Sequence, residues 1–264
     1  MEQTIQNRLL RPDGSWVCLD GYGDTSGPGL VIVPGVMSDA SGWRQVASSV
    51  TAWPSVWVVN RRGRTPSGPL GRDYSMATEV GDLSAVLEAI GEQRSVFGWS
   101  YGGLITLLLA RNRALRQVIA YEPVDPTFGN AALPSLRAAD AAQDWDAAVR
   151  IVNEDVSGFS AEYVRSLRTD EPAWATLRRL SVPLYRELSA LSRADLDAEL
   201  GSRATRIDLI IGSRNVDSDP YGAAFRQIEN QLGRHTVTQL PEQGHLAHLE
   251  APVALGRLLD QLAI

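Results

Sequence analysis

Short apolar runs of strand length alternate with longer amphipathic runs along most of this chain. Such a pattern builds a mostly parallel sheet covered by helices, because each crossover between parallel strands needs a helix-length return. Residues 30–33 (Leu-Val-Ile-Val) and 56–59 (Val-Trp-Val-Val) are wholly apolar, as strands covered on both faces must be. Further strands are predicted at 95–98, 117–121, 207–211 and 236–240. Helices are predicted at 42–52, 75–90, 104–111, 220–232 and 252–262. Near the N-terminus, Arg11-Pro12-Asp13-Gly14 joins apolar runs at 5–10 and 15–21, which reads as the turn of an antiparallel hairpin.

Between residues 122 and 205 the strand runs stop and only helical patches remain, such as 136–152 and 161–167. The predicted organisation is therefore a core of residues 1–122 and 205–264, with residues 123–204 as a helical insertion over one end of the sheet. At 264 residues, 44% of them hydrophobic, the chain can bury a full core without staples. Its net charge of -6 argues against a nucleic-acid partner. The single cysteine, Cys18, forms no internal disulfide, and it sits in an apolar stretch that suits a buried strand. The sequence shows no basic-then-apolar leader, and its longest apolar stretches are too short to span a bilayer. A soluble cytoplasmic protein without a membrane partner is expected. The sequence carries no signal of oligomeric state.

Gly98-Trp99-Ser100-Tyr101-Gly102-Gly103 fits the pattern G-x-S-x-G between a predicted strand and an apolar helix. In that context the serine occupies a sharp, strained turn that lifts its Oγ clear of the sheet. The turn also puts the hydroxyl at a helix N-terminus, where backbone N–H groups favour developing negative charge. Of the three histidines, His245 follows the last strand and precedes the last helix. That puts it at the same sheet edge as Ser100, with a side chain suited to act as general base. His248, three residues on, is expected to face away in a solvent or capping role. His235 is expected at the opposite end of the sheet.

This order, with the serine turn, then a helical insertion, then Gly244-His245-Leu246-Ala247-His248-Leu249-Glu250, resembles the α/β-hydrolase superfamily over essentially the whole chain. Asn60-Arg61-Arg62-Gly63 is similar to that family's Asp-Arg-Arg-Gly segment, and Pro34-Gly35 stands where it often carries His-Gly. The resemblance implies an α/β-hydrolase fold with about eight strands and a cap, and a Ser–acid–His triad. It implies an oxyanion hole formed by the N–H of Tyr101 and that of Val36 or Met37. The family's usual acid position, Gly-x-x-Asp after the penultimate strand, holds Asn215 here. The acid stays open among three carboxylates. Glu122, directly after the 117–121 strand, is favoured, since some members resemble that arrangement. Asp217 is the alternative, and Asp125 a third choice.

Met37, Trp99, Trp43 and Trp174 are the expected substrate contacts, with Phe159, Tyr163 and Tyr185 also on the insertion; cap-to-sheet packing is expected to occupy most of these aromatics. Arg61, Arg62 and Arg64 could bind an acidic substrate, but the resemblance implies structural pairing for them instead. No H-E-x-x-H, cysteine pair or G-x-G-x-x-G is present in the sequence, so neither a metal nor a dinucleotide cofactor is expected. The expected activity is hydrolysis of a small, largely apolar ester, thioester or lactone through an acyl-enzyme on Ser100. Acyl transfer, carbon–carbon cleavage or cyclisation on the same scaffold is the alternative, and a silent ligand-binding module the third possibility.

Overall fold

The computed structural model describes residues 1–91, 95–196 and 199–264. The chain runs β1 (Gln3–Leu10), β2 (Trp16–Gly23), β3 (Gly29–Val33), α1 (Arg44–Ser49), β4 (Ser55–Asn60), α2 (Met76–Ile90), β5 (Ser95–Trp99), α3 (Tyr101–Asn112) and β6 (Leu115–Tyr121). Five helices follow: α4 (Leu133–Ala142), α5 (Trp145–Ile151), α6 (Ala161–Arg168), α7 (Glu171–Ser181) and α8 (Leu184–Leu191). The chain closes with β7 (Ala204–Gly212), α9 (Tyr221–Glu229), β8 (Thr236–Leu240), α10 (Ala247–Glu250) and α11 (Pro252–Leu262).

The strands form one eight-stranded sheet in the order β1-β2-β4-β3-β5-β6-β7-β8. β1 pairs antiparallel with β2, as the Pro-Asp-Gly turn predicts, and β2 pairs antiparallel with β4. All remaining pairings are parallel. This mostly parallel sheet matches the expectation from the alternating pattern, and its eight strands match the number that the resemblance to the α/β-hydrolase superfamily implies.

The two-residue period of a strand sends its side chains into two separate cores. Val31, Val33, Trp57, Val59, Val96, Val118 and Ala120 pack on one face, against α2 and α3. Leu30, Ile32, Val56, Val58, Phe97 and Ile119 pack on the other, against α1 and α11. Each such side chain contributes roughly 1.5–3 kcal/mol by leaving water. Helix α3 has ten of its twelve residues buried, which accounts for its lack of a polar face. Helix α2 starts at Ser75, whose hydroxyl accepts from Thr78 N–H in a capping box.

Residues between β6 and β7 form helices and turns only, among those described; 197 and 198 lie outside the described residues. The predicted patch 136–152 is two helices, because Gln143 takes a left-handed conformation (φ 53°) and breaks it. The predicted helix 42–52 begins earlier, as a 3-10 turn (Ala40–Trp43) capped by Asp39, and α1 ends at Ser49.

The parallel strands carry their C-terminal ends to one edge. There β3 leads into Pro34-Gly35, β5 into Ser100, β6 into Glu122, β7 into the 213–219 loop and β8 into the loop bearing His245. Entry of β5 into α3 depends on Gly102. A Cβ there would lie 2.0 Å from the Val33 carbonyl oxygen and 2.7 Å from that of Pro34, both backbone atoms with little room to move. Gly102→Ala is therefore expected to lose about 1–3 kcal/mol or more. Gly81, inside α2, has nothing within 4 Å of its added Cβ, so Gly81→Ala is expected to gain about 0.5–1 kcal/mol. Thermal melts check both: Tm moves about 2–4 °C per kcal/mol for a chain near this size, down for Gly102→Ala and up for Gly81→Ala.

Candidate active site

Ser100 sits at φ 57° and ψ -122°, between the last residue of β5 and the first of α3. Such a backbone state is strained for a residue with a Cβ and persists because both flanking elements are fixed. Ser100 N–H donates to the Tyr121 carbonyl (2.9 Å), and its own carbonyl accepts the first α3 bond from Leu104 N–H (3.2 Å). The close neighbour of the turn is Gly35, where a Cβ would lie 2.9 Å from Ser100 Cβ.

His245 lies in the loop after β8, buried at 6% exposure. Its Nδ1 is 2.7 Å from Glu122 Oε2. Glu122 is buried at 1% exposure and has φ 41°, a second strained residue at this edge. Its carboxylate also accepts from Gly212 N–H (2.8 Å to Oε1) and from Asn215 Nδ2 (3.0 and 2.9 Å to Oε1 and Oε2). Three segments thus meet one buried anion at the end of β6: the end of β7, the loop after β7 and the histidine loop. A carboxylate accepts only, so the proton in this contact is on Nδ1 and Nε2 keeps a lone pair. Burial pushes the His245 pKa below its ordinary 6.5, opposed by Glu122, and the net direction is down.

Two aromatic rings pack against the imidazole. Tyr221 stacks on it at 3.7 Å between ring centroids, 15° from parallel. Trp99 lies 4.6 Å away and donates from Nε1 to the His245 carbonyl (2.8 Å). Tyr121 Oη donates to the neighbouring Gly244 carbonyl (2.6 Å).

Ser100 and His245 line the same cavity, of about 140 Å³. Its wall includes Val36 and Met37 from the loop after β3, and Phe128, Val156, Phe159 and Tyr163 from the helical segment after β6. Among the described residues, neither Val36 N–H nor Tyr101 N–H donates to a protein acceptor, which leaves both free for an oxygen in the cavity. A larger open groove of about 500 Å³ between α2, α3 and α8 shares no residue with this cavity.

The loop carrying Val36 is fixed from below. Arg61 donates from Nε to the Pro34 carbonyl and from Nη2 to the Gly35 carbonyl, both at 2.8 Å. Its charge is met by Glu79 (2.6 Å) and by Glu187 of α8 (2.8 Å). Arg64 donates to the Ser38 carbonyl (2.7 Å) and pairs with the same Glu187 (2.8 Å). Burial pushes the Glu187 pKa up, but Arg61 and Arg64 overcome it and hold the carboxyl below its ordinary range. Arg62 pairs with Asp82 and Asp13. All three arginines are paired within the protein, as the resemblance implies.

The sequence candidates divide clearly. Ser100, His245 and Glu122 come together with Val36, Tyr101, Met37 and Trp99. Asp217 does not join them: it is exposed in the 213–219 loop, and the position before it that matches the usual acid, Asn215, donates to Glu122 instead. Asp125 caps a turn through Thr127 N–H (2.7 Å). Trp43 does not line the cavity, because its Nε1 donates to Ser38 Oγ (3.0 Å) and its ring backs onto His248. Nor does Trp174, whose Nε1 donates to Asp146 (2.6 Å) and whose ring packs with Val149 and Val164. His248 departs furthest from expectation. It is buried at 3% exposure and forms part of the cavity wall. Three contributing residues carried no sequence signal of their own: Tyr221, Asn215 as a donor, and His248 as a wall group. Reading Asn215 and Glu122 as one exchanged pair is the signal that points to the second.

A family model described as the alpha/beta hydrolase family matches residues 30–257. An alpha/beta hydrolase from Sphaerobacter thermophilus superposes with a TM-score of 0.74 at 23% identity, covering 97% of this chain and 99% of its own. An esterase from a Rhodococcus species gives 0.74 at 19% identity, covering 98% of each chain. An enol-lactonase from Burkholderia xenovorans gives 0.71 at 18% identity, over 94% of this chain and 96% of its own. No curated protein sequence matches significantly. No helix among the described residues is long and apolar enough to cross a membrane.

The buried histidines predict an acid-sensitive fold. Burial, with His245 nearby, pushes the His248 pKa to about 3. Its folded pKa lies below its unfolded one, so from about pH 6.5 down to about 3 the unfolded chain binds a proton that the folded chain excludes. Stability at this residue is full above about pH 6.5 and falls as pH drops through that window, by about 1.4 kcal/mol per pH unit. Denaturation curves across this range are expected to show a steeper pH slope for the parent than for His248→Phe.

Proposed function

Because the chain belongs to the alpha/beta hydrolase family, we propose that it is a serine hydrolase cleaving a carboxylic ester, thioester or lactone of a small, largely apolar substrate. The observation that carries this reading is the His245–Glu122 contact of 2.7 Å, with Ser100 and His245 on the wall of one cavity. Ser100 Oγ attacks the substrate carbonyl carbon while His245 Nε2 takes its proton. The oxygen that gains charge accepts from the N–H groups of Tyr101 and Val36. The carbon–oxygen or carbon–sulfur bond to the leaving group then breaks, and His245 returns the proton to the departing oxygen or sulfur. Water attacks the acyl-enzyme, gives its proton to His245, and Ser100 recovers it as the acid departs. Glu122 keeps the imidazole in the useful tautomer and stabilises the imidazolium. No cofactor enters.

Features of the cavity support this substrate class. Its volume of about 140 Å³, below the roughly 300–1,000 Å³ of pockets for drug-sized ligands, favours a small molecule. Val36, Met37, Val156, Phe159 and Leu246 make its wall mainly apolar. Residues 123–204 serve as its cap, with Glu187 tying α8 to the loop that bears Val36. The likeness to an esterase and an enol-lactonase supports this bond class. A cytoplasmic location, with a small molecule as partner and neither nucleic acid nor membrane, completes the reading.

A fluorophosphonate probe is expected to label the native protein and not Ser100→Ala, which is expected to lose about 10⁴-fold or more in kcat. Absence of labelling near neutral pH contradicts the reading. Glu122→Gln is expected to lower kcat about 10²–10⁴-fold. Gly212 N–H keeps the amide oxygen at the Oε1 position, so an NH₂ faces His245 Nδ1 and forces the proton onto Nε2. Asp217→Asn is expected to stay within about threefold of the parent, as an exposed substitution away from the site does.

A further inference from the structure

One buried polar group of the cavity wall is not used by this chemistry. The Ser157 hydroxyl accepts from Tyr221 Oη (2.9 Å), and the Asn153 amide donates to the Val149 carbonyl (2.8 Å). Ser100 and His245 belong to the reaction. His248, in α10 three residues beyond His245, is left. Its ring stacks on Trp43 (4.6 Å, 7° from parallel) and also packs against Trp99 (4.3 Å), and its Nδ1 is buried with no hydrogen-bond partner.

A neutral imidazole carries its proton on one nitrogen only. A proton on Nδ1 is a buried unpaired donor, the costlier kind of orphan. The proton therefore belongs on Nε2, the nitrogen that is not among the buried unpartnered atoms. His248 lines the cavity, and among the described residues no protein acceptor meets its Nε2, so we infer that this N–H is the donor it offers a ligand. The low pKa keeps the ring uncharged at neutral pH, so it suits a neutral oxygen better than a carboxylate. Trp99 touches both rings, at 4.6 Å for His245 and 4.3 Å for His248, which puts this donor beside the reacting centre. A side chain needed only for stacking has no use for a nitrogen here.

We propose that His248 is a substrate-recognition residue whose Nε2–H donates to a second, neutral acceptor oxygen of the substrate, so that the cavity selects small esters or lactones bearing an extra carbonyl or ether oxygen near the scissile carbonyl. This rests on the hydrolase reading above. The test compares kcat/KM for methyl butyrate, methyl 3-oxobutanoate and methyl 4-oxopentanoate in the parent, His248→Phe and His248→Gln. The parent is expected to prefer at least one keto ester over the plain ester. His248→Phe is expected to cut that preference about 10–100-fold with an equal or higher Tm, since losing an unsatisfied polar group does not destabilise. His248→Gln, which keeps a donor, restores part of the preference. No keto preference in the parent, or an equal loss for plain and keto esters with a lower Tm, overturns the proposal and leaves His248 a packing residue. If the parent hydrolyses none of these esters, it is the hydrolase reading that suffers. Quenching of tryptophan fluorescence by the same keto esters in Ser100→Ala and Ser100→Ala/His248→Phe then decides the question without turnover: weaker binding in the double variant supports His248, and equal binding overturns it.

Discussion

A single buried carboxylate, that of Glu122, organises the edge of the sheet where the chemistry is proposed. An ionised carboxylate away from water is costly unless its oxygens are met by donors. Here Gly212 N–H, the Asn215 amide and the His245 ring supply them. Those donors come from the end of β7, the loop after it and the loop after β8, so satisfying one anion joins three segments distant in sequence. The strained backbone of Glu122, and of Ser100 on the neighbouring strand, is held by the parallel ladders beneath.

A second buried charge cluster does comparable work on the other side of Ser100. Arg61 and Arg64 fix the carbonyls of Pro34, Gly35 and Ser38, and Glu187 joins both arginines to α8. Removing one partner of such a cluster leaves an uncompensated buried charge and typically costs about 3–5 kcal/mol. The loop carrying Val36 and the helices above the cavity thus share an electrostatic anchor.

The sheet, the serine turn and the position of His245 were legible in the sequence because each follows from local pattern: apolar runs, glycine spacing, and a loop after the last strand. The acid was legible only as a pair of choices. Asn215 in the usual acid position removes the charge from that site, but only the fold brings Asn215 and Glu122 into contact. The aromatic residues were read less well. Trp43, Trp99 and Trp174 look alike in a sequence, and their roles diverge through contacts made at long range: stacking on His248 for Trp43, and hydrogen bonds to His245 and Asp146 for Trp99 and Trp174. His248 is hidden for a related reason. Its spacing of three residues from His245 suggests an outward direction, but α10 is a single short turn packed against Trp43 and Trp99, which turns that ring inward.

The central claim is that Glu122 holds the proton of His245 on Nδ1 and leaves Nε2 free for Ser100. Nitrogen-15 NMR of the labelled histidines tests it directly. At neutral pH His245 is expected to show a protonated Nδ1 and an unprotonated Nε2, a pattern reversed in Glu122→Gln and unchanged in Asp217→Asn. A proton on Nε2 in the parent, or a pattern that follows Asp217 and ignores Glu122, contradicts the account.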